Sequence, residues 1–301
     1  MSGDLESAPP WKSMIEILAL ASAVCYGSAD FFGGLTARRA NTIATVFWSQ
    51  FVGLVLLLVV LPFLPAATVS KTDWTWGFIA GLSGGIGVAL LYRALAVGTM
   101  AVVAPTTAVI AAVIPVLFAF GMGERPRMWA LAGIGLALVA IVLVSRPTPQ
   151  PDKDEARAIG GWPPGFGLAL LAGISVGVFF LSLARTTIGA GMWPLVAARI
   201  SSIVLFGGIA VVSRRTLRMS PPAAATAFTG GALDMLANAL YMSAARVGPL
   251  SIVITLASLY PASTVLLARW ILHERLNVIQ IAGIACALVA VVLIVSQGTA
   301  V

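Results

Sequence analysis

A shift of 150 residues lays one half of this chain on the other, and that repeat limits the possible folds more than any single motif. From Ala94 to Val144 the chain opens ALAVGTMAVV and closes MGERPRMWALAGIGLALVAIVLV. From Ala244 to Ile294 it opens AARVGPLSIV and closes LHERLNVIQIAGIACALVAVVLI. The stretch beginning at Glu124 matches its counterpart at 11 of 20 positions without a gap. Self-similarity at one fixed offset is the mark of a duplicated unit. The same shift sets Leu18 on Leu168, Gly27 on Gly177, Gly81 on Gly231 and Val97-Gly98 on Val247-Gly248. Apolar sequence can match itself by accident, but Glu124-Arg125 and Glu274-Arg275 fall in register where charges are scarce. The chain therefore divides into 1–150 and 151–301.

Each unit must live in lipid. With 59% hydrophobic and 10% charged residues, the chain lies far from soluble composition. Its apolar runs are continuous, about twenty residues each, which suits helices that cross the hydrocarbon and not an alternating barrel. The runs predict helices near 14–36, 43–64, 74–97, 100–122 and 127–145, then near 165–186, 193–213, 222–247, 249–272 and 278–296. Five spans per unit is odd, so the second unit enters the bilayer from the opposite side. The expected fold is all-α: ten transmembrane helices as two inverted five-helix repeats around a central cavity, with the site where the repeats meet. The polar, proline-rich stretch 146–164 reads as their linker.

The charge of +7 and a pI near 10.1 would suggest nucleic acid in a soluble protein. Here the basic residues sit at the ends of apolar runs, as snorkelling and membrane orientation require, so no nucleic-acid partner is expected. Their distribution predicts a cytoplasmic linker and external termini. The N-terminus lacks a basic segment ahead of its first run, which reads as a retained span. Cys25 and Cys286 lie within apolar runs and predict neither a disulfide nor a metal site. The lone His273 beside Glu274 cannot build a hydrolytic dyad or a metal pair, and no phosphate-binding loop occurs. Neither an enzyme nor a cofactor is expected.

Polar residues inside apolar spans are the candidates for function. Asp234, Asn238 and Tyr241 share one helix face at i, i+4 and i+7. Asp234 lies about twelve residues from either end of its span, where an unpaired carboxylate costs several kcal/mol. It reads either as a substrate or proton site or as a helix lock paired with Arg199. Arg199 has Ser49 as its counterpart and reads as structural or gating. Asp30 and Glu16 lie near span ends and read as interfacial. Gly77, Gly81 and Gly85 form a small-residue seam for a close helix neighbour. Pro105, Pro115, Pro194 and Pro261 interrupt spans and permit bending. Tyr26, Tyr92, Phe179, Tyr241 and Tyr260 lie further in than the tryptophans and read as cavity wall or as packing. Thr106, Thr107 and Thr255 could offer neutral hydrogen bonds there.

Two inverted halves, ten helices and a Glu-Arg pair ending the fourth and ninth spans resemble the drug/metabolite transporter superfamily in its EamA branch. The stretch that carries this best is SLYPASTVLLARWILHERLNVIQIAGIACALVAVVLIV, from Ser258. The opening AVCYGSADFFGGLTARRANTIATVFWSQ is similar to bacterial YddG-type exporters of aromatic amino acids. The resemblance implies a basket in which the first, third, fourth, sixth, eighth and ninth helices enclose a cavity while the fifth and tenth stand outside. It matches Arg199 to a family arginine. It implies a multi-pass inner-membrane exporter of aromatic or large neutral amino acids and related metabolites, of no fixed oligomeric state, a monomer being compatible. A multidrug or other metabolite exporter, or a receptor or enzyme subunit that does not transport, are the alternatives.

Overall fold

The computed structural model describes residues 10–121, 128–144, 162–247, 253 and 256–295. Among these residues there are ten α-helices and no strand. The first repeat holds α1 (Pro10–Arg39), α2 (Thr42–Val60), α3 (Lys71–Val97), α4 (Met100–Gly121) and α5 (Met128–Val144). The second holds α6 (Phe166–Ala184), α7 (Trp193–Val212), α8 (Pro221–Val247), α9 (Tyr260–Ile271) and α10 (Val278–Val295). α1, α2, α3, α6 and α7 are long and apolar enough to cross a membrane, and α4, α5 and α10 carry shorter apolar stretches. Glu124-Arg125, Thr255 and all of the linker but Trp162–Pro164 lie outside the described residues.

The element ends follow local chemistry. Asn41 caps α2 by accepting from the Ile43 amide. α2 stops at Val60, ahead of the expected end, because Pro62 cannot donate to the ladder and a 3-10 turn at Leu61–Phe63 follows. Ser70 and Asp73 form a reciprocal capping box that starts α3. The prolines divide by position. Pro105 and Pro115 lie inside α4. Pro194 and Pro261 instead occupy the first turns of α7 and α9, where the missing N–H has no intrahelical partner to lose. For Pro194 the expectation of an interrupting proline is corrected, whereas Pro261 follows a break in its span. Ahead of Pro261 the chain is helical at Leu256 and Ala257 and turns at Ser258 and Leu259, so the ninth span is broken beside Tyr260.

Contacts fix the directions. Arg38 at the end of α1 meets Glu274, just past the end of α9, while Gly27 meets Tyr260 and Thr264, so α1 and α9 run parallel. Gly33 and Gly34 of α1 meet Tyr92 and Leu95 of α3, again in parallel. Ser22 bonds Ala237 while Thr36 bonds Thr226, so α8 runs against α1. Gly87 meets Val176 while Gly98 meets Pro164, so α6 runs against α3. The second repeat is therefore inverted relative to the first. The packing respects this exchange: α1 on α8 mirrors α6 on α3, α1 on α9 mirrors α6 on α4, and α2 on α8 mirrors α7 on α3. α5 packs on α10 through Ala137, Ala140, Ala287 and Ala290.

These seams are built from glycine and hydroxyls. At Gly81 a side chain would run into Ala198 and Ser201 of α7, and at Gly231 into the backbone of Ser49. Carbonyls exposed by such close approach accept hydroxyls from the facing helix. Ser202 donates to Gly81 at 2.7 Å, Thr264 to Gly27 at 2.9 Å, and Thr107 to Ala169 at 3.2 Å. In lipid, where apolar burial gives helices no reason to associate, close packing and interhelical hydrogen bonds take over.

Candidate functional site

α8 carries Asp234 to the place where α2 and α7 cross it. Arg199 of α7 donates from Nη2 to the Asp234 carboxylate and from Nη1 to the Gln50 side chain of α2. The pair is largely enclosed, the Arg199 side chain 12% exposed and that of Asp234 28%. Gly53 leaves α2 bare under the guanidinium, since a Cβ there would stand 3.4 Å from Cζ. An enclosed carboxylate without its arginine would be strongly unfavourable, so this contact locks three helices together.

α1 supplies the facing wall. Residues advance by about 100° along a helix, so Tyr26, Asp30 and Gly33 form one stripe. Its ends are fixed by contact: Tyr26 meets the Tyr260 ring edge-on at 6.5 Å between centroids, and the Tyr92 ring lies on Gly33. Asp30 lies between them. It feels the charge of Asp234 across the site, and Tyr26 and Tyr92 both lie in the fields of Asp30, Asp234 and Arg199. Tyr260 lies in that of Asp30, and Tyr241 packs against Ile15, Ala19, Ala244 and Val253. Tyr26, Tyr92 and Tyr260 thus lie along the face of α1 that carries Asp30, opposite the Arg199–Asp234 pair.

Other expected residues stand differently. Thr106 is 2% exposed and donates to Val102 of its own helix, so its hydroxyl is occupied. Thr107 serves the α4 to α6 seam. Asn238 donates to the Asp234 carbonyl one turn back, which leaves its side-chain oxygen as an acceptor. Phe179 packs over Gly84 and joins the apolar cluster of Leu57, Met192, Leu195 and Met235. Pro261 is buried at the start of α9. Asp30, expected at an interface, faces inward with the tyrosines instead. Its distance from the helix end suggests water, whereas the helical stripe it shares with Tyr26 decides which way it points.

Two clamps have partners to which nothing in the sequence pattern points. Glu274 accepts from the amides of Met100 and Ala101 at 3.0 and 3.1 Å, capping α4 from a distance of 174 residues. Arg38 pairs with Glu274 at 3.5 Å and donates to the carbonyls of Leu95 and Gly98. The ends of α1, α3, α4 and α9 are thereby tied at one end of the bundle. Toward the opposite end, the wholly buried Asp73 accepts from the Thr187 amide at 2.7 Å and ties the start of α3 to the loop after α6. The Ser70-x-x-Asp73 spacing marks the cap, but nothing in it points to Thr187. A concavity of about 510 Å³ near that end is lined by Leu61, Pro62, Leu64, Pro65, Trp193 and their neighbours. No charged side chain lines it.

An all-helical inverted repeat with a polar cluster between its halves defines the class: a polytopic membrane protein of the transporter kind. The EamA-like transporter family matches residues 13–146 and 163–296, one match per repeat, and the chain belongs to that family. It is a membrane transporter of small molecules. A solved structure titled only as a crystal structure of a protein shares its fold, with a TM-score of 0.58 and 17% identity over 95% of this chain and 97% of that one. No curated protein matches the chain.

Proposed function

We propose that this transporter exports aromatic or large neutral amino acids and related metabolites across a bacterial inner membrane by alternating access. The observation that carries this reading is the row of Tyr26, Tyr260 and Tyr92 along the Asp30 face of α1. Aromatic walls favour a flat apolar side chain, and neutral hydroxyls beside them offer hydrogen bonds of about 0.5–1.5 kcal/mol each, weak enough for release. The broken ninth span beside Tyr260 is the kind of discontinuity from which transporters build binding sites. The YddG-like opening stretch, which contains both Tyr26 and Asp30, supports the same substrate class. In this reading Tyr26, Tyr92, Tyr241, Tyr260 and the Asn238 oxygen touch the solute, and Arg199 with Asp234 holds the frame. Phe179 and Thr106 shape the wall without donating to the solute. The linker faces the cytoplasm.

The test is counterflow in reconstituted vesicles. Labelled phenylalanine should enter vesicles preloaded with unlabelled phenylalanine or tryptophan, and Tyr260→Ala should weaken that exchange. Exchange no faster than in protein-free vesicles, for every aromatic and large neutral amino acid tried, would overturn the reading.

A further inference from the structure

We propose that the Asp30 carboxylate receives the protonated amine of the transported solute, and that this contact, not recognition of a solute carboxylate, decides which aromatic compounds are carried. The inference rests on the reading of the chain as a carrier of aromatic solutes, and it names the group within that site that selects them.

Three observations lead there. Asp30 stands between Tyr26 and Gly33 on the inward stripe of α1, with the Tyr260 ring at one end and the Tyr92 ring at the other. No hydrogen bond or ion pair from a described residue reaches its carboxyl. The only guanidinium in the cluster, Arg199, already holds Asp234 and Gln50. Two carboxylates face one cation, so the ionised cluster lacks one positive charge. In a partly enclosed interior that deficit is met by protonating a carboxyl or by binding a cation. Asp234 has its partner, so the deficit falls on Asp30.

The fold does not demand an acid at this position. The 150-residue shift places Phe180 opposite Asp30, and Phe180 is 49% exposed. A charge in one repeat whose matched position in the other repeat is a phenyl serves the site and not the scaffold. The surrounding rings suit the same ligand, because an ammonium is attracted to aromatic faces as well as to a carboxylate. A solute carboxylate, by contrast, meets no uncommitted cation in the cluster. Among the described residues only neutral groups, the tyrosine hydroxyls and the Asn238 amide, remain to donate to it. The amine is therefore required and the carboxylate is tolerated.

Four solutes of related shape separate the parts: phenylalanine, phenethylamine, phenylpropionate and isoamylamine, each tested as a competitor and as a counterflow partner in vesicles. Phenylalanine and phenethylamine should both exchange, and phenylpropionate should not. Asp30→Asn should weaken both amines about 10- to 100-fold, the size of a charge-assisted hydrogen bond, and Asp30→Glu should restore part of the loss. Exchange of phenylpropionate on a par with phenylalanine overturns the role of Asp30 and leaves the aromatic reading standing. Exchange of isoamylamine alone, still dependent on Asp30, overturns the aromatic reading and leaves the amine contact standing. If no amine exchanges, both fall. Should Asp30→Asn fail to fold, the wild-type preference between phenethylamine and phenylpropionate still decides.

Discussion

The two repeats agree where helices touch and differ where charge is placed. Gly27 and Gly177 both open a seam, the first on α9 and the second on α4, and Gly81 and Gly231 do the same toward α7 and α2. At the centre the correspondence stops. Across the shift Asp30 corresponds to Phe180, Ser49 to Arg199, Gly84 to Asp234, and Tyr92 to Met242. Matched seams give two inverted halves the same packing rules, so they can lie across a common axis. Mismatched polar residues then give that axis a single chemical site instead of two. The lesson is that the scaffold is read from what the repeats share and the site from what they do not.

Breaking the pair that belongs to one repeat alone should have the largest effect. Arg199→Gln leaves Asp234 enclosed without a cation, at a cost of about 3–5 kcal/mol for a fully buried pair and less here, where Asp234 keeps partial exposure. Asp234→Asn should cost less, because Arg199 keeps Gln50. The double variant Arg199→Gln with Asp234→Asn should be more stable than Arg199→Gln alone, since no charge is stranded. Thermal unfolding in detergent measures all three. A double variant no better than the worse single one would mean that Arg199 acts through packing and that the charge asymmetry is incidental.

The seams come next, and here the repeats should behave alike. Gly81→Leu and Gly231→Leu each force a side chain into a facing backbone, with overpacking costs of about 1–3 kcal/mol or more. At Gly208 and Gly135 a Cβ would meet no atom within 4 Å, so Ala at either should leave stability unchanged or raise it by up to about 1 kcal/mol through helix propensity. Yield of monodisperse protein and melting temperature give the comparison. Tolerance of leucine at one seam and not the other would show that the two halves pack by different rules.

The same division governs what is legible in the sequence alone. The repeat, the ten helices, the glycine seam and the Arg199–Asp234 contact are legible there, because periodicity and scarcity of charge both survive in one dimension. Three things are not. Glu274 caps α4 across 174 residues, a partnership no local pattern encodes. Thr106 reads as a free donor, but a threonine inside a helix can spend its hydroxyl on the preceding turn. For Asp30, distance from the end of the span misleads, and direction around the helix is the informative property.

The Glu274 clamp should show an intermediate effect. Glu274→Gln keeps the shape and removes the charge that two helix amides and Arg38 share. A loss of about 1 kcal/mol is expected from the helix end. The buried start of α4 should also loosen. In a chain with Cys25 and Cys286 replaced, a cysteine at Val103, which is fully buried, should react faster with a water-soluble thiol reagent once Glu274 or Arg38 is neutralised. Unchanged labelling would make the contact a static cap and not a latch at that end of the bundle.

The smallest effect tests the repeats at one matched position. Thr264 lies against Gly27, and Ile114, its counterpart across the shift, lies against Gly177. Both are β-branched, so both present a stiff, compact surface to the glycine groove. Only Thr264 adds a hydrogen bond, 2.9 Å to the Gly27 carbonyl. That carbonyl also lies within an α-helix, so it keeps a ladder partner when the hydroxyl is removed. Thr264→Val should therefore cost only about 0.6 kcal/mol, the average for interhelical hydrogen bonds in a membrane protein. Thr264→Ala should cost more, because it removes the methyl that fills the groove as well as the hydroxyl. A melting series over threonine, valine and alanine at this position ranks the two contributions. If valine were as damaging as alanine, the hydroxyl would hold the seam, and the likeness between Thr264 and Ile114 would be one of shape without a shared function.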